Sequence, residues 1–404
     1  MGHPSVPLSA HLPPLVMGTA TFNTQFNHDP YALPTTELIH RALASGVCAF
    51  DTSPYYGPAE ELLGRALATD YVRANHPRKS YRILTKVGRE YASSFDYSPE
   101  WVRISIKRSL QRLHTGYLDL VYCHDVEFVS PAEVLQAVRE LRRIRDEEGT
   151  ICYVGISGYP IDVLCELAEM VLRETGEPLD AVMSYAHFTL QNTSLLTRAL
   201  PRLLNAGVDV VPNASPLGMG LLRRQGVPIG SQGDFHPSPA GLRGAIQKAA
   251  EWADSQGERI EVVAIRYALE RWLREATEVG ASGSPPLVPS AGIEEVSSNG
   301  GSKPVHGRLG VSVMGVSNVE ELNETLRVWH SILEGLDTAP APASDNANWS
   351  RTRRQQILTL AQGIQSIIGS EWVDYAWESP GPGFINTLPE KHLDELRKAR
   401  AESG

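Results

Sequence analysis

Eight short apolar runs, each followed by a longer stretch of helical periodicity, constrain this chain more than any other feature. The runs are Leu15–Thr19, Val47–Asp51, Arg82–Lys86, Leu118–His124, Ile151–Ile156, Ala181–Tyr185, Val208–Asn213 and Val311–Val316. Apolar residues at three- and four-residue spacing predict helices between them, among others over Thr36–Ala44, Pro99–Leu113, Pro131–Glu147 and Asp162–Glu174. Strands alternating with such helices are the pattern of βα units around a parallel sheet. Gly46, Gly116, Gly149, Gly176 and Gly207 stand just before strands, where a helix is expected to stop. Eight strands favour an α/β chain closed as a (β/α)8 TIM barrel over an open doubly wound sheet. The open dinucleotide fold would also need a G-x-G-x-x-G turn after its first strand, and the sequence has none there.

A chain of 404 residues is long for one domain, but a barrel with additions absorbs that length. The barrel is expected over 12–336, with a flexible Ser-, Gly- and Pro-rich insertion at 281–310 before the eighth strand. A linker at 337–350 then leads to a helical tail, 351–404, whose Trp372 and Trp377 suit it to fold over the barrel. The stretch Arg223–Pro239 follows the seventh strand and is a candidate flap, because loops on the carboxyl face of a barrel carry function.

A net charge of -10 offers no footprint for nucleic acid or an anionic membrane. Cys48, Cys123, Cys152 and Cys165 lack metal-ligand or redox spacing, so no metal is expected and a reducing compartment fits best. No apolar run approaches the ~20 residues that span a bilayer. The first residues lack a basic start and a long apolar core, and Val6 stands where a myristoylation motif wants Ser or Thr. The expected location is therefore the cytoplasm, and the expected partner a small polar molecule, with the chain a monomer or small homo-oligomer.

The chemistry gathers at strand ends. The segment FDTSPYYGPAEELLGRAL, Phe50–Leu67, leaves a strand at Asp51, passes Tyr55 and Tyr56 in a Pro/Gly turn, and opens a helix. Lys86 and His124 close two later strands. Carboxyl ends of barrel strands share one face, so Asp51, Tyr56, Lys86 and His124 should converge. A free phenol titrates near ~10, and a neighbouring ammonium favours its ionised form. Lys86, steadied by Asp51, is expected to bring Tyr56 toward neutrality as a general acid or base, with His124 donating to a substrate oxygen. Taken singly, Asp51 reads more readily as an N-cap or turn residue and His124 as a structural histidine, while Tyr56 reads also as a packed aromatic and Lys86 as a surface cation. Four matched residue types at strand ends point to catalysis.

These residues carry a resemblance to the aldo-keto reductases, from Leu15 to His330. The family's opening G-T-x-x-F/W-x appears as Gly18 to Asn23, and its D-T-(A/S)-x-x-Y-G block as Asp51 to Gly57, continuing to Gly64. Its strand-end T-K is Thr85-Lys86, and its strand-end His is His124. The resemblance places the catalytic tetrad on Asp51, Tyr56, Lys86 and His124 and implies hydride transfer between a nicotinamide and a carbonyl or carbinol carbon. It assigns cofactor contacts to Gly18, Thr19, Asp51, Ser157, Ser215, Leu217, Gly218, Gly315, Ser317, Glu321 and Glu324, and puts Tyr56 and His124 against the substrate. Phe22, Asn23, Tyr55 and the loop after Gly220 are expected to shape the substrate pocket, though each reads equally as barrel-rim packing. The sequence departs from the family at Gly158, where an Asn is usual, near Val182 and Ser184, where a Gln is usual, and at Ala214, where a stacking Tyr is usual.

NADP-preferring members carry basic residues in the segment matched by Gly315–Thr325, whereas this chain offers Glu321. A carboxylate repels a dianionic 2′-phosphate, so NAD is the expected cofactor and NADP the alternative. Within the family, the chain is most similar to the NAD-dependent sugar dehydrogenases of the L-galactose and D-arabinose group, the fungal ones above all. The shared features are the FDTSPxYG form of the motif, the segment Ser184–Phe188 and the seventh-strand ASPLGMGLL. That likeness implies oxidation of an aldose at its anomeric carbon to an aldonolactone. The competing readings are a broad aldehyde or pyridoxal reductase using NADPH, and a nicotinamide-sensing regulatory subunit.

Overall fold

The computed structural model of the chain describes residues 6–228, 233–283, 307–336 and 345–403. Eight parallel strands close into a barrel in chain order: β1 Leu15–Gly18, β2 Ala49–Asp51, β3 Arg82–Val87, β4 Leu118–His124, β5 Ile151–Gly158, β6 Ala181–Tyr185, β7 Asn213–Ala214 and β8 Ser312–Gly315. Pairing of Leu15 with Ser312 through Gly18 with Gly315 seals the ring. The architecture is the (β/α)8 barrel expected from the alternation. One strand is shorter than its apolar run. Of Val208–Asn213 only Asn213 enters the ladder, followed by Ala214, with an isolated bridge at Val210. Pro212 has no N–H to give, while Val208, Val210 and Val211 are still buried as a strand would bury them.

Packing follows the period of each element. Val16, Leu84, Leu120, Tyr122, Met183, Val210 and Val313 fill the barrel interior as one cluster. Alternate strand residues such as Ile83, Val121, Val154 and Val182 meet the helices in a second layer. The helix Pro131–Glu147 begins where its sequence says it should: Ser130 and Glu133 form a reciprocal capping box with Pro131 at the first turn. The glycine that ends the tyrosine motif has a packing role. In the helix Ala59–Leu67, a Cβ on Gly64 would lie 1.9 Å from Arg112 O, so only glycine lets this helix approach Pro99–Arg112 so closely.

The tail departs from the expected linker. A helix runs over Asp345–Ile368, so residues 345–350 are helical, not linker; Asp345 in its first turn suits the positive end of the helix dipole. The linker residues 337–344 and most of the insertion expected at 281–310 lie outside the described residues. Ile357, Ala361, Ile364 and Ile368 pack on Leu242, Ile246, Ala249 and Val263 of the helices Ala240–Ser255 and Ile260–Glu275. Each buried isoleucine stabilises this contact by about 2 kcal/mol. Buried Arg266 ties the same surfaces together, donating to Glu270 at 3.0 Å and to Ser350 Oγ at 2.8 Å.

Beyond Ile368 the chain runs across the carboxyl end of the barrel. Gln191 Nε2 donates to Trp372 O at 2.6 Å and to Tyr375 O at 3.0 Å. Trp377 is buried and stacks on Tyr159, just past β5, at 4.6 Å between ring centroids. Ser379 Oγ donates to Glu127 past β4 at 2.9 Å. Asn386 then pairs with both backbone groups of Phe95, and His392 in the last helix, Glu390–Ser403, lies 2.7 Å from Asp96. The tail thus straps one side of the mouth, over the ends of β6, β5, β4 and β3. No described helix is long and apolar enough to cross a membrane.

Candidate active site

Asp51 ends β2, Lys86 lies one residue before the end of β3, and His124 ends β4. All three are buried, and the turn after β2 brings Tyr56 in over them, half-buried. Lys86 Nζ donates to Asp51 Oδ1 at 2.6 Å and to Thr52 O at 2.9 Å. The same ammonium lies 4.8 Å from the centroid of the Tyr56 ring. The Tyr56 and His124 rings meet at right angles, 5.6 Å apart. The structure therefore brings the four expected residues into one cluster.

Their electrostatics differ from the expectation in one respect. Lys86 is committed to Asp51 and Thr52 and stands against the Tyr56 ring face. Burial, followed by the carboxylates of Asp51 and Asp125, pushes the Tyr56 phenol well above its ordinary value, with Arg89 pulling the other way. These surroundings make Tyr56 a weaker acid than a free tyrosine, not a stronger one. Burial also raises the Asp51 carboxyl above its ordinary value, opposed by Lys86. It lowers His124 to about 3, so the imidazole is neutral at physiological pH.

The other expected residues divide. Gly18 pairs with both Gly315 and Asp51, so the ends of β1, β2 and β8 meet beside the cluster. Thr19 is buried, and its hydroxyl donates to Asp51 O at 3.1 Å. Ser157 pairs with His124 across the β4–β5 ladder. Tyr55 stands beside His124, ring centroids 5.9 Å apart, with Arg89 3.8 Å above its ring. Phe22 is wholly buried and belongs to the apolar layer under the helices.

After β7, Ser215, Gly218, Met219 and Gly220 all have positive φ, and Gly218 N donates back to Ser215 O at 2.8 Å. Leu217 is half-buried against the cluster that holds the tail helix. The candidate flap is pinned at its far end, where His236 lies 2.9 Å from Gly218 O and Phe235 meets Phe26 edge to face at 5.4 Å. Residues 229–232 of it lie outside the described residues. After β8, Ser317 N donates to Glu321 Oε2 at 2.7 Å. Glu324 is exposed and pairs with Arg327 at 3.0 Å.

Four residues near the cluster escape a reading of sequence alone. Arg89 forms an ion pair with Asp125 and donates to the Tyr55 hydroxyl at 3.1 Å. Ser53 Oγ lies 3.0 Å from His124 Nδ1. Glu127 fills the space beside Gly158, where a Cβ would come within 2.5 Å of its Oε2. Asp125 follows His124 directly, and this adjacency is the one signal that could have marked it.

A barrel whose β2, β3 and β4 ends gather an acid, a lysine, a tyrosine and a histidine defines an oxidoreductase class, and comparison with known proteins agrees. Residues 14–335 match the aldo/keto reductase family, and the chain belongs to it. It is 43% identical to D-arabinose 1-dehydrogenase of Saccharomyces cerevisiae over 266 residues, covering 65% of this chain and 77% of that protein. It is 34% identical to L-galactose dehydrogenase of Arabidopsis thaliana over 252 residues, 62% of this chain and 72% of that one. A solved glycerol dehydrogenase from Gluconobacter oxydans shares the fold, with a TM-score of 0.51 at 18% identity over 92% of this chain and 94% of that one. The protein is therefore an enzyme, an oxidoreductase of the nicotinamide-using kind.

Proposed function

We propose that this enzyme oxidises an aldose of the D-arabinose or L-galactose type at its anomeric carbon, using NAD, and releases the aldonolactone. The observation that carries the reading is the buried Lys86–Asp51 pair set under Tyr56, with His124 perpendicular beside it. The two sugar dehydrogenases among its relatives supply the substrate class.

The residues fit a nicotinamide cofactor. A side chain at Gly18 would stand 3.1 Å from Val313, and one at Gly315 would stand 3.2 Å from Thr21, so glycine keeps the ends of β1 and β8 open. Thr19, Ser157, Ser215, Leu217, Gly218, Gly315 and Ser317 would hold the cofactor, which when bound supplies the acceptor for the hydride leaving C1. Tyr56 as phenolate takes the proton of the anomeric hydroxyl. Neutral His124 donates to the same oxygen and fixes its direction. Lys86, held by Asp51 and Thr52, stands against the face of the Tyr56 ring and fixes where the phenol sits over the cluster. Tyr55 and Arg89 border the substrate side of the cluster.

NAD rather than NADP follows from charge. The Ser317 N–H at the start of the helix Val319–Glu334 is already taken by Glu321. The two nearby arginines, Arg259 and Arg327, both face Glu324. A 2′-phosphate brought there meets carboxylates rather than free cations. Assay of the purified protein with D-arabinose, L-galactose and L-fucose tests the whole reading, NADH formation with NAD being the expected result. Turnover of aldehydes with NADPH and of no sugar with NAD would replace it with a broad aldehyde reductase.

A further inference from the structure

The two ring nitrogens of His124 stand in unlike surroundings. Nδ1 lies 3.0 Å from Ser53 Oγ, and Nε2 lies 3.6 Å from Asp125 Oδ2. Ser53 is wholly buried, and its Oγ already accepts the Tyr55 N–H at 3.1 Å. A serine hydroxyl has one proton to give. Among the hydrogen bonds of the described residues, the only acceptor in reach of the Ser53 proton is His124 Nδ1.

Asp125 reinforces the same choice from the other side of the ring. Neighbouring residues of an extended strand point to opposite faces. Asp125 instead has φ +55°, a left-handed conformation uncommon outside glycine, asparagine and aspartate. The carboxylate so turned lies beside the imidazole of the residue before it and is held there by Arg89. The backbone of His124 is fixed as well, since the buried Tyr97 hydroxyl donates to its carbonyl. Were the proton on Nδ1, the Nε2 lone pair would face a carboxylate and the Ser53 proton would be left without an acceptor in a buried site. Both costs vanish when the proton is on Nε2.

We propose that Ser53 is a positioning residue: its hydroxyl donates to His124 Nδ1, which keeps the ring proton on Nε2, the nitrogen that then donates to the substrate oxygen. Asp125, clamped by Arg89, holds that tautomer from the opposite side. The charged and titratable groups around the ring are Asp125, Lys86 and Arg89, and the rings of Tyr55 and Tyr56 flank it. The two cations and burial together keep the imidazole neutral, and a neutral ring is the only one for which a choice of tautomer exists. The inference rests on His124 acting as the donor to substrate in the function proposed above.

Nitrogen-15 NMR of the full-length protein, labelled at histidine and recorded with and without NAD, reads the tautomer directly. His124→Gln identifies the resonances. The expected result is an unprotonated Nδ1 and a protonated Nε2 from pH 6 to 8. In Ser53→Ala the Nδ1 resonance moves toward that of a nitrogen without a hydrogen bond, and kcat falls roughly 3- to 10-fold with KM held, the size of one hydrogen bond lost. A proton on Nδ1 in the unsubstituted protein overturns the proposal. So does Ser53→Ala with both the Nδ1 shift and kcat unchanged. The spectrum does not depend on turnover: an Nε2 proton in a protein that oxidises no sugar would sink the substrate reading and leave the tautomer assignment standing.

Discussion

Lys86 Nζ lies 2.6 Å from Asp51 Oδ1, with the two side chains only 1% and 5% exposed. A pair this dry is held by mutual charge, and removal of one partner strands the other in a poor solvent. Asp51→Asn preserves the shape and removes the charge. The expected loss is about 3 kcal/mol of stability, read as a lower urea midpoint with unchanged slope. Turnover falls with it, since Lys86 loses the group that holds it against Tyr56. A variant as stable as the parent would show that the carboxylate does not carry the ammonium.

Tyr56 is assigned the proton, and its phenol is pushed up by burial and by Asp51 and Asp125. Oxidation needs the phenolate. With the phenol raised, that form is scarce at neutral pH and grows tenfold for each unit of pH. The rate of sugar oxidation should therefore climb with a slope near +1 from pH 7 toward ~10, without the early plateau of a phenol made acidic. Reduction of the lactone or of an aldehyde, which needs the protonated phenol, should stay flat over the same range. Tyr56→Phe should lower turnover by roughly 10²- to 10⁴-fold while cofactor binding, followed by fluorescence, is kept. A flat oxidation profile or an active Phe variant would remove Tyr56 from its role.

Much of this was legible in residues, and the reason is positional. Asp51, Lys86 and His124 sit at or beside strand ends, and a parallel barrel turns all strand ends to one face, so period and count alone placed them together. Tyr56 followed because its turn is short. The orientation of Lys86 was not legible: whether an ammonium points at a hydroxyl or at a ring face depends on ångström-scale packing that spacing does not encode. Phe22 stayed open for a related reason, since an aromatic after a strand suits a pocket wall and a core equally. Arg89 and Ser53 were hidden because each works through a partner far along the chain. The early helix at Asp345 was masked by an Ala/Pro/Asp/Asn composition that reads as linker until Ser350 is seen buried against Arg266.

Gly64 sets two magnitudes against each other. Replacing a helical glycine with alanine favours the helix by about 1 kcal/mol. Here the added Cβ would meet Arg112 O at 1.9 Å and Leu113 Cα at 2.8 Å, both backbone atoms that cannot turn aside. Overpacking of this kind costs about 1–3 kcal/mol, and backbone contacts put it at the upper end. Gly64→Ala should therefore destabilise the protein by about 1–2 kcal/mol, measured as a fall in Tm. A rise in Tm would mean the two helices separate freely.

Glu321 should set cofactor choice. Its carboxylate accepts the Ser317 N–H at 2.7 Å at the start of a helix, where an anion is favoured. Glu321→Arg removes the repelling charge, frees that N–H and adds a cation. The expected outcome is a shift of roughly tenfold or more in kcat/KM toward NADP relative to NAD, with sugar KM unchanged. An unchanged ratio would place the 2′ position away from this turn.

Glu127 makes the tail sensitive to pH. Burial and the nearby Asp125 raise its carboxyl to about 8, while its Oε1 accepts from Ser379 in the tail and from Tyr159 N. Its Oε2 is buried without a hydrogen-bond partner. In the unfolded chain a glutamate titrates near ~4.3. Below that value the group is protonated in both states and costs nothing. As pH rises from there to about 8, the unfolded chain gives up its proton and the folded one does not, so stability falls through that window and levels off above it. Above pH 8 the repulsion between the ionised carboxylate and Asp125 outweighs the bond it accepts from Ser379, and the tail loosens where it meets Glu127. Glu127→Gln keeps the acceptor for Ser379 and removes the titration. It should raise Tm at pH 8.5 by several degrees more than at pH 5, and slow hydrogen exchange in the segment around Trp377 at the higher pH. Equal gains at both pH values would show that Glu127 is not the group that couples the tail to solution pH.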